Sequence, residues 1–492
     1  MHPLDLTIIA LYLAAVVGAG MWFGRRQKTT QRYFTAGHSV PWWAISASIV
    51  ATETSTVTFI SVPGIAYAQG GNFTFLQLVF GYLVARVIIA SVFMPWYFRG
   101  ELVTVYELLH SRFGGSVRGL AASLFVVMRT IGDGIRLLLT GLVVAAVFRS
   151  IGAETAVSAA VIALGIIMIV FTLAGGIEAV VWVEVVQLVI YLAGAIAATI
   201  VLLQHVGFSE AIAIGDAAGK FKLFEFALDV TRTYGFWAGL IGGTFLTLST
   251  HGTDQYLVQR YLCTDRSRNA AKALLLSGAV VLVQFAGFLF IGVLLYAFYR
   301  PDLHEAVRFA STDQVFPDFI TRHLPIGLSG LVVAAILAAA MSSSLNAIAS
   351  TVVADLYRPV VRNRDDRHYL NVSRVVTVLA GVAQIAVGVF MQHENRAAVN
   401  TALSVASLIN GPILGVFFLG AAGKNRTYGT DVTDGTPARS LPAFAGMIAG
   451  LAVVLTVAFA TKVAWPWYTV IGSLTTFTVG SLIGRTRQRI AA

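Results

Sequence analysis

One cysteine in 492 residues, Cys263, excludes an intrachain disulfide and offers no metal-ligand spacing. Charge is scarce as well: Asp, Glu, Lys and Arg make up 12% of the chain against 57% hydrophobic residues, and mean hydropathy is +0.78. An ordinary soluble domain is about one quarter charged, so this composition excludes one and leaves a polytopic membrane protein. No polar stretch is long enough to fold as a catalytic domain of its own. A Walker loop, an HExxH pair, a Gly-x-Ser-x-Gly elbow and a Cys cluster are all missing. ATP-driven pumping and conventional hydrolysis therefore lack support, and the chain reads as a non-enzyme. Nothing resembles a selectivity filter, which leaves a channel a remote alternative to a secondary transporter.

What is present is apolar sequence in runs near the roughly 20 residues that carry an α-helix across a hydrocarbon core. Thirteen runs are centred near residues 15, 56, 86, 132, 164, 190, 247, 285, 338, 380, 410, 451 and 475. The Gly-Gly of "TLAGGIEAVVW" is expected to divide two of them by a turn. Basic residues fix an expected orientation. Alternate loops, from "GRRQKTTQR" to the tail "GRTRQRIAA", hold 21 Lys and Arg against nine in the opposite set. Cytoplasmic loops are enriched in Lys and Arg, which puts the N-terminus outside, the C-terminus inside, and Lys28, Arg266 and Arg364 in the cytoplasm. The opening "MHPLDL" has no basic n-region, so the first run reads as a retained span and not a signal peptide. The net charge of +10 is then a topology signal in a plasma (inner) membrane protein, with no nucleic acid implied.

Three stretches interrupt the apolar pattern. "ATETSTVTFISVPG", from Ala51 to Gly64, sets Glu53 among Thr52, Thr54, Ser55, Thr56 and Thr58. Polar backbone at membrane depth is tolerated where it lines a cavity, and a broken helix exposes carbonyls at one end and amides at the other. The alternative is hydroxyls bonded back to their own helix. "AAAMSSSLNAIAS" carries Ser342, Ser343 and Ser344, compact oxygen ligands that suit Na+ when paired with carbonyls, or else small residues for helix packing. "MRTIGDGIRLL" puts Arg129, Asp133 and Arg136 on one helical face with net charge +1. Either Asp133 and one of Glu53 or Glu184 neutralise the arginines, or Arg136 clamps a substrate carboxylate in two-pronged fashion.

The stretches "QRYFTAGHSVPWW", "TVYELLHSRFGG", "AGGIEAVVWVEVVQ", "GTDQYLVQRYL", "STDQVFPDFITRHLPIGLSGLVVAAILAAAMSS" and "LINGPILGVFFLG" follow one another in the order found in sodium:solute symporters. The chain resembles that family over nearly its whole length. The resemblance implies an all-α integral membrane protein with the leucine-transporter-like fold. Two inverted five-helix repeats would cover residues 42–204 and 232–422 of a single transporter domain. A first peripheral helix and loop would cover 1–41, and two C-terminal peripheral helices 440–484.

It further implies alternating-access symport of Na+ with a small organic solute, by a protein functional as a monomer in the bilayer. Carried over on the motifs, the sodium ligands become Ala51, Thr54, Ala339, Ser342 and Ser343. A gapless register on Asn346 would instead put Ala339 and Ala340 where the hydroxyls belong. Glu184 stands where relatives show Asp. It is expected either to hold a second Na+ with Ser344 or to pair with an arginine. The pocket resembles that of the bacterial sialic acid branch at Ser55, Thr58, Phe73, Gln77 and an arginine, Arg129 or Arg136, with Glu53 where that branch has a hydroxyl residue. The monocarboxylate branch is similar too. These point to an anionic substrate. Asp254 falls near the family's sugar-bonding Asn, which keeps a sugar or polyol as the alternative. A sensor role is remote, since the sequence given carries no kinase.

Overall fold

The computed structural model describes residues 1–24, 29–100, 102–152, 155–300, 309, 311–339, 344–393, 398–422 and 437–491, and among these there is no strand. The helices that matter below are α1 (Pro3–Gly24), α2 (Trp42–Glu53), α3 (Thr56–Tyr67), α4 (Leu76–Ile88), α5 (Gly115–Ser150), α6 (Val157–Val206), α7 (Gly243–Gly252), α8 (Gln255–Tyr261), α9 (Ser267–Tyr299), α10 (Leu328–Ala339), α11 (Ser344–Thr351), α12 (Asp366–Phe390), α13 (Ala398–Ala422), α14 (Pro437–Ala460) and α15 (Pro466–Ala491).

Among the described residues nine helices are long and apolar enough to span a membrane, and the bent pair α2 and α3 makes a tenth. The other three expected runs fall on helical segments that are shorter or more polar: Val157–Leu173, the stretch 238–261, and α15. The expected Gly-Gly division is found inside α6: two helices, Val157–Leu173 and Gly175–Val206, meet at Gly176, whose φ of 60° and ψ of −172° are non-helical angles that a residue with a Cβ adopts only with strain.

Two helical segments are interrupted within the bundle. α2 and α3 meet at 56° across Thr54 and Ser55, with Ser55 at φ −39° and ψ 166°. The local cause is hydroxyl competition for backbone carbonyls: Thr52 bonds Ser48 O at 2.7 Å, Thr54 bonds Val50 O at 2.6 Å and Thr58 bonds Glu53 O at 2.6 Å. The second break, at Thr253 and Asp254, separates α7 from α8. There Asp254 caps α8 by accepting from Tyr256 N at 2.8 Å.

Their surroundings hold both breaks in place. α4 packs so closely on α7 that a Cβ added at Gly243 would lie 2.6 Å from Leu78 O, which requires glycine there. Asp5, before α1 has turned once, accepts from Gly327 N at 2.6 Å and Gly330 N at 3.0 Å and so caps the start of α10. Lys220 donates to Ala66 O at 2.9 Å, Tyr67 O at 3.2 Å and Ala68 O at 2.5 Å, satisfying the last carbonyls of α3. Burial lowers its pKa to about 8. At the basic-loop end, Gln255 clamps Val103 and Val105 by their backbone at 2.9 and 2.8 Å. Thr104 there donates to Asp355 at 2.9 Å, and Asp355 in turn pairs with Arg118 at 2.5 Å. In that cluster burial, aided by Asp355, pushes the Glu107 carboxyl up to about 7.

Candidate transport site

The two breaks face each other. Glu53, the last residue of α2, pairs through Oε2 with Arg86 of α4. Its Oε1 lies 3.2 Å from Nε2 of His251, next to the end of α7. Beyond the second break, the Asp254 carboxylate pairs with Arg129 of α5. Asp133 lies 3.8 Å from Arg129 Nε and 3.2 Å from Arg136 Nη1. Tyr256 closes this group: Arg129 stands 4.2 Å over its ring, and its hydroxyl accepts from Arg136 at 3.1 Å.

This arrangement corrects the charge count read from α5 alone. Arg129 and Arg136 face two carboxylates, because Asp254 arrives from another segment, and the excess of +1 vanishes. Nor do Glu53 and Glu184 neutralise the α5 arginines. Glu53 is taken by Arg86, and Glu184 by Arg260 at 2.6 Å with further bonds from Ser48 and Thr52. Charges fixed in a low-dielectric interior must be matched locally, and the tertiary fold supplies partners from distant segments.

Arg136 is the less committed of the two. Its side chain is 17% exposed, Asp133 is its only carboxylate partner among the described residues, and its Nε has no hydrogen-bond partner. One turn on, Thr140 lies 3.2 Å from Thr56 at the start of α3. A cavity of about 630 Å³, lined by Ile60, Leu139, Leu142, Arg149 and Gln314 among others, lies further along α5 and is large enough for a small organic molecule.

The remaining expected residues are placed as follows. Ser55 and Thr58 lie buried at the first break, Thr58 bonded to Glu53 O. Phe73 packs edge-on against Phe221 at 5.7 Å. Gln77 is engaged with backbone, donating to Thr74 O at 3.2 Å and Tyr234 O at 2.9 Å and accepting from Glu225 N at 3.0 Å. Ala51 and Thr54 end α2, while Ala339 ends α10; Thr56 donates to Ile336 O at 3.2 Å, which holds the break against α10. Ser342 and Ser343 lie outside the described residues, as do Lys28 and Ala340. Ser344 opens α11 with its hydroxyl 3.5 Å from the Gln384 amide. Among the described residues no three His, Cys, Asp or Glu gather as metal ligands. Arg86, His251 and Arg260 belong to the site but were not singled out from sequence. Their signal was there to find, since each is an ionisable residue inside an apolar run.

This geometry has counterparts. The profile of the Sodium:solute symporter family matches residues 33–427. A sodium/sialic acid symporter of Aliivibrio fischeri is 32% identical over 489 residues, covering 97% of this chain and 92% of its own length. The human sodium/iodide cotransporter is 30% identical over 469 residues, covering 92% of this chain and 69% of its own. Among solved structures, a Na+-coupled sialic acid symporter in a substrate-bound outward-open state superposes with a TM-score of 0.86. It is 27% identical and covers 99% of this chain and 98% of its own. A nucleobase-cation symporter, Mhp1, at 14% identity and a TM-score of 0.61, shares the fold over 94% of this chain and 95% of its own. Broken helices whose ends meet beside paired buried charges, on a chain matched from end to end by sodium-coupled transporters, identify this protein as a member of the sodium:solute symporter family.

Proposed function

We propose that the protein imports a small organic anion, a sialic acid or a related carboxylate, together with Na+ by alternating access. The observation that carries the reading is Arg136. It is a partly exposed guanidinium with an unpartnered Nε, one helical turn before Thr140, whose hydroxyl meets that of Thr56 at the start of α3. The carbonyls at Ala51, Thr54 and Ala339, with the hydroxyls of Ser342 and Ser343, form the sodium site. A helix end leaves its last carbonyls without intrahelical partners, and hard cations take such oxygens. Asn346, fully buried with both side-chain amide atoms unpartnered, supports a polar occupant beside it. Ser55, Thr58, Phe73, Arg129 and Asp254 frame the substrate, while Gln77, its amide engaged with the backbone of Thr74, Glu225 and Tyr234, braces the frame. A neutral sugar or polyol is the second reading, favoured by the matched charges around Arg129 and Arg136. Uptake of radiolabelled N-acetylneuraminate, lactate and glucose into proteoliposomes, with and without a Na+ gradient, tests both readings. Saturable uptake without Na+ overturns the coupling, and glucose uptake alone replaces the anion by a sugar.

The buried pair of Arg260 and Glu184 supports one Na+ per cycle, because the guanidinium already occupies the carboxylate. The initial rate is expected to rise hyperbolically with Na+. A sigmoidal rise that Glu184→Gln makes hyperbolic returns Glu184 and Ser344 to a second sodium site.

The enrichment of Lys and Arg in alternate loops supports a plasma-membrane monomer with its N-terminus outside. Single cysteines at positions 266 and 364, in a Cys263→Ser background, are expected to resist impermeant thiol reagents in intact cells. Labelling from outside reverses the topology.

A further inference from the structure

Glu53 is a carboxylate held at the hinge of the first broken helix, and three observations show that the site around it is built. Arg86 and His251 approach it from α4 and α7, and both are sealed. Their side chains are 1% and 4% exposed, whereas Glu53 keeps 12%. α9 is shaped to admit the arginine: a Cβ at Gly278 would lie 2.7 Å from Arg86 Cδ. The polar accounting is also unfinished. An ionised carboxylate accepts about four hydrogen bonds, and Arg86 and His251 occupy one oxygen each. Arg86 Nε and Nη1 and the Tyr261 hydroxyl are buried without partners in the same neighbourhood. Arg86 and His251 compensate the charge of Glu53, and its 12% exposure leaves it the accessible member of the three.

We propose that Glu53, positioned by Arg86 and His251, selects substrates that present a hydroxyl or N–H donor to the α2–α3 break, and rejects anions that have none. The inference rests on the proposed anion transport and specifies what else the anion must carry. A donor-bearing molecule satisfies the free lone pairs. A halide or an unsubstituted carboxylate brings only acceptors to an oxygen that already carries charge, and leaves a desolvated acceptor unpaired. Sites built to bond a substrate donor reject the analogue without one far more strongly than a missing methylene is rejected.

The test is calorimetry on the purified full chain in saturating Na+, using pairs that differ in donors: lactate against propionate, and gluconate against hexanoate. Wild type is expected to bind the donor-bearing member at least about tenfold tighter. Glu53→Ala is expected to bring each ratio near one and to admit propionate, because Arg86 is then uncompensated. Should that variant not fold, Glu53→Gln, which keeps the shape and removes the charge, is expected to narrow the ratios. A wild type that binds propionate within twofold of lactate, one that binds no donor-bearing member, or a Glu53 variant with wild-type ratios overturns the proposal. Lactamide separates the two readings: if it binds as well as lactate while the donor ratios hold, anion transport fails and donor selection by Glu53 stands.

Discussion

Arg136→Ala lowers affinity for the carried anion at least about tenfold while sodium binding persists. A lost charge-assisted hydrogen bond costs roughly 1.5 to 3 kcal/mol, and about 1.4 kcal/mol is a factor of ten. The structure adds a second term. With Arg136 gone, Asp133 and Asp254 face Arg129 alone, so the group around Tyr256 turns from neutral to net negative and repels an incoming carboxylate. Arg136→Lys recovers only part of the loss, because an ammonium cannot reproduce the two-pronged geometry. Arg129→Ala is a different experiment. It strands the fully buried Asp254 carboxylate and is expected to cost about 3 to 5 kcal/mol of stability, read as loss of folded protein. Calorimetry with a carboxylate and its amide decides the matter for Arg136. Equal affinities, or normal binding by Arg136→Ala, leave both arginines as structural partners and put a neutral sugar first.

Ser342→Ala and Ser343→Ala each raise the Na+ concentration for half-maximal uptake by about tenfold, because each removes one hydroxyl from a cation that has few protein ligands to spare. Substrate affinity at saturating Na+ is expected to stay near wild type, which separates a lost ion ligand from general damage. Unchanged sodium dependence in both variants sinks this site. It would favour the register on Asn346, with Ala339 and Ala340 in the ligand positions.

Several features could be read along the chain because they depend on near neighbours. The break at Thr54 and Ser55 is one: the hydroxyls that compete with the helix lie within five residues of the carbonyls they take, at Ser48, Val50 and Glu53. The apolar runs are another, since their length answers directly to membrane thickness. The Gly-Gly division is a third: Gly176 takes φ 60° and ψ −172°, which glycine alone adopts without strain, and two helices meet there. Gln77 shows the opposite limit, because a buried amide reads alike whether it meets a ligand or the backbone of residues 225 and 234.

The sequence by itself determined the membrane class, the helical spans, the polar interruptions and the family. All of these rest on composition, periodicity and ordered motifs, which act over a few helical turns. Only the tertiary structure decided which charges belong together. Glu53 meets Arg86 and His251 across 33 and 198 positions, Arg129 meets Asp254 across 125, and Glu184 meets Arg260 across 76. One helix face carrying Arg129, Asp133 and Arg136 looked cationic until a second segment brought its carboxylate. The reason is electrostatic: in a low-dielectric interior a charge is stable only beside its counter-charge, and no local pattern tells which distant segment will provide it.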